Sequence, residues 1–93
     1  MPFSKKDKLK LKVLGQRVKD LRLERNLSLK AMAHAIGKDP QSVHRLEQGG
    51  VNPGYLYLLS ICEGLEIDII ELLRVWEKSS LILHPYWLNF LYR

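Results

Sequence analysis

Apolar residues recur along most of this chain at intervals of three and four, the spacing of one face of a helix. From about Leu9 the series Leu14, Val18 and Leu21, with Leu11 ahead of it, predicts a first helix. Its Arg17, Lys19, Asp20, Glu24 and Arg25 are left to solvent or to phosphates. Asn26 ends it, because asparagine tolerates the left-handed backbone almost as glycine does. Leu27 then plugs the core and Ser28 caps the next helix. Met32, Ala33 and Ile36 fall at i, i+1 and i+4, an inward stripe that Gly37 terminates. After Lys38, Asp39 is a capping residue, and Pro40 takes the first helical position, where a missing N–H costs nothing. Val43 and Leu46 face back onto the preceding helix. Leu29 to Gln48 therefore reads as helix, tight turn, helix.

Beyond it, Gly49 to Asn52 is a loop. Asn52 caps and Pro53 opens a fourth helix that stops at Gly64, with Tyr55, Leu58 or Leu59, and Cys62 as core positions. Asp68 caps a fifth helix from Ile69 to about Lys78, on which Ile69, Leu72, Leu73 and Trp76 recur at i, i+3, i+4 and i+7. The last fifteen residues, SSLILHPYWLNFLYR, are densely apolar and aromatic. Leu81–Leu83 is expected to be a strand or extended linker, and Pro85 to start a short helix over Tyr86–Tyr92. An exposed patch of Trp87, Leu88 and Leu91 there would make an association surface, with homodimerisation the first expected use, docking on the protein's own core the next and contact with a different protein the last.

A chain of 93 residues makes one small domain, near the lower limit for a self-sufficient core. It has no apolar run long enough to span a membrane and no secretory signal pattern. Its single cysteine, Cys62, excludes an internal disulfide and reads as a small core hydrophobe, so a reducing cytoplasm is the expected location. The net charge of +5 is unevenly spread. Residues 1–12 hold five Lys against one Asp, residues 13–48 seven basic against four acidic, and residues 49–93 three against five. A face that meets a polyanion produces this asymmetry. Residues 1–8 are too poor in apolar groups to pack and are expected to be a flexible basic arm.

These residues carry a resemblance. With Ala33 where two helices cross, Gly37 in the turn, and Val43 and Leu46 as buried anchors, Leu29–Gln48 is similar to the DNA-binding helix-turn-helix motif. Adding Glu47-Gln48-Gly49, Asn52-Pro53, Arg22, Leu65 and Leu72-Leu73, the stretch Leu14 to Leu73 resembles the lambda-repressor/Cro-like (XRE-type) helix-turn-helix family. The resemblance implies an all-α, five-helix lambda-repressor-like domain over residues 9–78, with residues 79–93 as a short apolar C-terminal extension. It also implies that Arg22 and Glu47 form a largely buried ion pair, and that Pro40, Gln41, His44 and Arg45 face the bases. Gln41 suits adenine N6/N7 and Arg45 guanine O6/N7, each as a bidentate partner. Phosphate contacts are expected from Ser28, Lys30, Lys38, Ser42 and Asn52, with Lys5, Lys6 and Lys8 along a groove. Three positions depart from the family pattern. Leu29 replaces a DNA-touching Gln, Pro40 offers no hydrogen-bond donor, and Lys38 replaces an apolar residue under the turn.

The function this implies is a sequence-specific regulator of transcription, a repressor that binds double-stranded DNA as a homodimer on a two-fold operator. The alternative is a protein-interaction module, such as an antitoxin that neutralises a partner protein and binds its own promoter. No enzyme, metal or cofactor is expected. His34, His44 and His84 lie far apart, with no cysteine or carboxylate at ligand spacing, and no nucleophile–base set or phosphate-binding glycine loop is visible.

Overall fold

Serine 4 sets the start of the fold. In the computed structural model, which describes residues 3–74, its Oγ accepts from the Asp7 N–H at 3.1 Å and opens α1 (Lys5–Glu24). The helix thus begins four residues before Leu9, and Lys5, Lys6 and Lys8 lie on it rather than in a flexible arm. A local cap overrides the shortage of apolar residues, since the helix needs packing only along its second half. At the other end Asn26 adopts φ 56°, its N–H donating to Leu23 O at 3.0 Å. The Leu27 N–H reaches back to Arg22 O at 3.1 Å. These two bonds satisfy carbonyls that the helix end would otherwise orphan.

Helix α2 (Leu29–Ala35) is capped by Ser28, whose Oγ accepts from the Ala31 N–H at 3.0 Å. Gly37, at φ 69°, turns the chain into α3 (Pro40–Glu47), capped by Asp39. Helix α4 (Tyr55–Leu65) starts later than the Asn52-Pro53 pair suggests, with Gly54 at its N-cap and no side-chain cap bond. It also runs past Gly64. Glu66, at φ 57°, is the residue that ends it, through an Ile67 N–H bond to Cys62 O at 3.0 Å. Gly64 has a different task, close approach: a Cβ there would lie 2.6 Å from Ile36 Cγ2 of the α2 end. Helix α5 (Ile69–Leu73) is opened by Asp68, which accepts from the Glu71 N–H at 2.7 Å. The continuation towards Lys78 with Trp76, and the expected association residues Trp87, Leu88 and Leu91, lie outside the described residues. Among the described residues all regular structure is helical, in five helices.

One core joins them, built from Val18 and Leu21 of α1, Met32 and Ala33 of α2, Val43 and Leu46 of α3, Ile61, Cys62 and Leu65 of α4, and Leu72 of α5. Tyr55, expected inside, is 67% exposed, because it stands at the first position of a helix whose buried stripe lies at its far end. Ile61 is buried instead. Cys62 is buried, and that burial, with Asp68 and Glu63 nearby, pushes its thiol above the usual range, so it stays a protonated hydrophobe.

Two arginines expected to face solvent or phosphates are structural. Arg17 is buried and donates through one Nη to Glu71 O at 2.8 Å and to Glu71 Oε1 at 3.2 Å, tying α1 to α5. Arg25 donates from Nε to Leu65 O at 2.7 Å and through Nη to Leu21 O at 3.0 Å, bridging the ends of α1 and α4. Orphan helix-end carbonyls attract guanidinium donors, and partners 54 and 40 residues away cannot be read from spacing.

Candidate nucleic-acid interface

The geometry of α3 begins with its cap. Asp39 Oδ1 accepts from the Ser42 N–H at 2.8 Å and Oδ2 from the Ser42 hydroxyl at 3.0 Å. These bonds hold the carboxyl below its usual range, the backbone N–H being the larger cause. A lowered folded value means that the cap stabilises above the unfolded carboxyl value near ~3.9 and fades as pH falls through the folded one. Asp39→Asn keeps a capping oxygen that does not titrate. Thermal unfolding followed between pH 6 and pH 2 (roughly the carboxylate range) is therefore expected to show a shallower acid decline for D39N. Parallel curves for the two proteins would contradict this.

Inside the cap, α3 divides into two faces. Val43, Leu46 and Glu47 are buried, whereas Pro40, Gln41, His44 and Arg45 are all exposed, so the structure brings the four expected base-reading positions onto one outward surface. Ala33, 1% exposed, sits on α2, the helix with which α3 packs most extensively.

The back of α3 is clamped to α1 at its C-terminal end. Arg22 Nε meets Glu47 Oε2 at 2.7 Å, one Nη meets Oε1 at 3.1 Å, and the other Nη donates to Leu27 O at 2.7 Å. Both side chains are nearly inaccessible. The clamp needs Gly15 as well. A Cβ on that residue would come within 2.5 Å of the Leu46 and Glu47 carbonyl oxygens, so α1 touches backbone, not side chains, at this point. The apolar pattern passes over Gly15, and only the crossing reveals its role.

The expected phosphate-contact residues are distributed more unevenly. Ser28, Lys30, Lys38 and Pro40 line one open groove between the start of α2 and the start of α3, and His34 joins them. Asn52 stands apart, exposed in the loop after α3. Ser42 is half-buried and its hydroxyl donates to Asp39. Lys38 lies with Nζ 4.7 Å from the centroid of the Tyr57 ring, a cation–π contact that draws it back over α4. Tyr57 is half-buried on α4 and packs against the core, and no spacing in the sequence marks it as the partner of Lys38. Burial, with Asp39 second, raises its phenol above the usual range. Leu29 is half-buried and packs against the core, which explains an apolar residue at the first position of α2. Among the described residues no group of His, Cys, Asp and Glu side chains could hold a metal ion, and no helix is long and apolar enough to cross a membrane.

Residues 18–72 match the model of the helix-turn-helix family. The fold is similar to the restriction-modification controller protein C.AhdI from Aeromonas hydrophila, with 31% identity and a TM-score of 0.67 over 69% of this chain and 97% of that one. It is also similar to the clp gene regulator ClgR from C. glutamicum, at 24% identity and a TM-score of 0.69, covering 73% of this chain and 88% of that one. No curated protein matches the chain.

Proposed function

The chain belongs to the XRE-type helix-turn-helix family and is a DNA-binding regulator of transcription, and we propose that it is a repressor binding a two-fold operator as a homodimer. The carrying observation is the division of α3, with Val43 and Leu46 inward and Gln41, His44 and Arg45 outward. A helix presented this way enters the major groove, and two copies related by a two-fold axis would place half-sites ~34–36 Å apart. Gln41 and Arg45 carry the base readout, while Ser28, Lys30 and Asn52 hold phosphates. Similarity to a controller protein over nearly its whole length supports the regulatory role. The residues serve binding, and no reacting group is assigned.

The association surface has two parts. On α4, Leu56, 77% exposed, shares a face with Leu59 and Glu63, and on α5 Ile70 is 69% exposed. Where the end of α4 meets the start of α5, an apolar groove of Leu59, Ile67 and Ile69 is rimmed by Glu63, Glu66 and Asp68. Trp87, Leu88 and Leu91 of the C-terminal segment are proposed to complete it. A second reading uses the same surface for a different protein, as an antitoxin would, and the exposed Leu56 and Ile70 favour it equally.

Selection of bound duplexes from a random pool tests the proposal. A palindrome is expected, and Arg45→Ala should relax preference at one base pair per half-site, at a cost of about 1–3 kcal/mol in discrimination. Enrichment of nothing beyond salt-sensitive, sequence-blind binding would overturn operator reading and move attention to the protein-partner reading.

A further inference from the structure

The first two turns of α1 contribute no residue to the buried core. Every residue from Phe3 to Lys10 is exposed, and the buried residues of this 20-residue helix begin at Gly15. At 1.5 Å per residue the helix is roughly 30 Å long, and its first six residues, about 9 Å of axis, run ahead of its half-buried and buried positions. This exposed segment carries most of the chain's excess positive charge.

We propose that this end of α1 is a second phosphate-binding track, in which Lys5, Lys8 and Lys12 hold the backbone of duplex flanking the half-site that α3 reads. The proposal rests on the DNA-binding reading and extends its footprint. Positions 5, 8 and 12 stand at i, i+3 and i+7, within roughly 60° of one another around the helix. Asp7, the acidic residue of this segment, falls well off that face.

Contacts farther along α1 fix where the face points. A Cβ on Gly49 would lie 2.8 Å from Lys12 Cα and Cγ, so the Lys12 side of α1 rests on the loop leaving α3. The next residue, Gly50, lies against Arg45, with its N–H donating to Arg45 O at 2.9 Å and a hypothetical Cβ 3.0 Å from Arg45 Cγ. Arg45, Gly50, Gly49 and Lys12 are thus successive neighbours, and the lysine face continues from the outer end of α3. The acidic part of the fold is on the other flank of α1, where Arg17 reaches Glu71 of α5. From Lys5 to Lys12 is about 10 Å along the helix axis, comparable with three phosphate steps of one strand at ~3.4 Å of duplex axis each.

The partner is DNA rather than an acidic protein because the track runs on from the helix proposed to read bases, and three lysines along one exposed helix face need no shaped pocket to hold phosphates. The test uses Lys5→Gln/Lys8→Gln/Lys12→Gln in the full chain. Glutamine keeps the helix propensity and, at position 12, the Cγ that touches Gly49. Affinity for the selected duplex is measured from 50 to 200 mM salt. Three lost phosphate contacts reduce the slope of log K against log salt by about 2.7, so wild type should lose roughly 40-fold more affinity over that range than the variant. Base preference should stay the same. Wild type, and not the variant, should also bind more tightly when each flank is lengthened by about one helical turn (~10 bp).

Equal slopes with no dependence on flank length would overturn the proposal while leaving operator reading intact. A variant that loses base preference as well would also overturn it, placing these lysines in the half-site. Failure of wild type to select any duplex is the separate failure of the DNA-reading proposal itself, and this extension falls with it. Tight binding of wild type to an acidic polypeptide, with equal slopes on DNA, would assign the track to a protein.

Discussion

Glu47→Ala is expected to destabilise the domain by about 3–5 kcal/mol, the largest effect of any single substitution outside the apolar core. Its carboxylate is 1% accessible and takes two guanidinium donors of Arg22, which is itself 8% accessible. Truncation leaves a desolvated cation whose remaining hydrogen bond is to a neutral carbonyl, Leu27 O, at 2.7 Å. Much of the cost is that stranded charge rather than the intrinsic strength of the pair, so the double change Arg22→Met/Glu47→Leu should recover a large part of it. In a domain of this size each kcal/mol shifts Tm by roughly 4–8 °C, and thermal or urea unfolding will register the loss. A fall below about 1 kcal/mol would mean that the pair is solvated and behaves as a surface bridge. The consequence reaches DNA, because Glu47 is the last residue of α3 and the pair sets how that helix stands on α1.

Gly15→Ala is the second large effect, and its cause is steric. A methyl group 2.5 Å from two carbonyl oxygens cannot be absorbed by a rotamer change, since both obstacles are backbone atoms of α3. Helices α1 and α3 must separate by several tenths of an ångström, at a cost of about 3 kcal/mol, the upper part of the overpacking range. The helix-propensity gain of alanine over glycine, up to ~1 kcal/mol, offsets only part of this. Operator affinity should fall together with stability, because the displaced element is the helix proposed to read bases. Unchanged urea midpoint and affinity in G15A would show that the crossing has slack. Gly64→Ala probes the α2–α4 crossing by the same logic but meets a side-chain methyl, Ile36 Cγ2, which is able to move.

Much of this domain is legible along the chain. Ser28, Asp39 and Asp68 act as caps through bonds spanning three residues, and Asn26 and Gly37 take the left-handed backbone their types allow. Val18, Leu21, Met32, Ala33, Val43 and Leu46 are buried where helical spacing puts them. The outward positions of α3 follow from that same stripe, so the place where bases would be read is legible as well. Errors at this level are local competitions. Ser4 opened α1 earlier than the apolar pattern, and Gly54 and Glu66 bounded α4 where Asn52-Pro53 and Gly64 had stronger prior claims.

What the sequence determined by itself is therefore whatever depends on neighbours within about one helical turn: caps, stops, stripes and the exposed face of α3. The tertiary structure alone decided which cations remain for a polyanion. Arg17 and Arg25 have the same chemistry as Arg45, yet the first two donate to Glu71 and Leu65, far along the chain, while Arg45 faces outward. It also decided why Gly15 and Gly64 lack side chains, and why Lys38 turns to Tyr57. The physical reason is common to all of these. Packing distance and desolvation are properties of pairs brought together by folding, whereas periodicity and capping are properties of a short segment of chain.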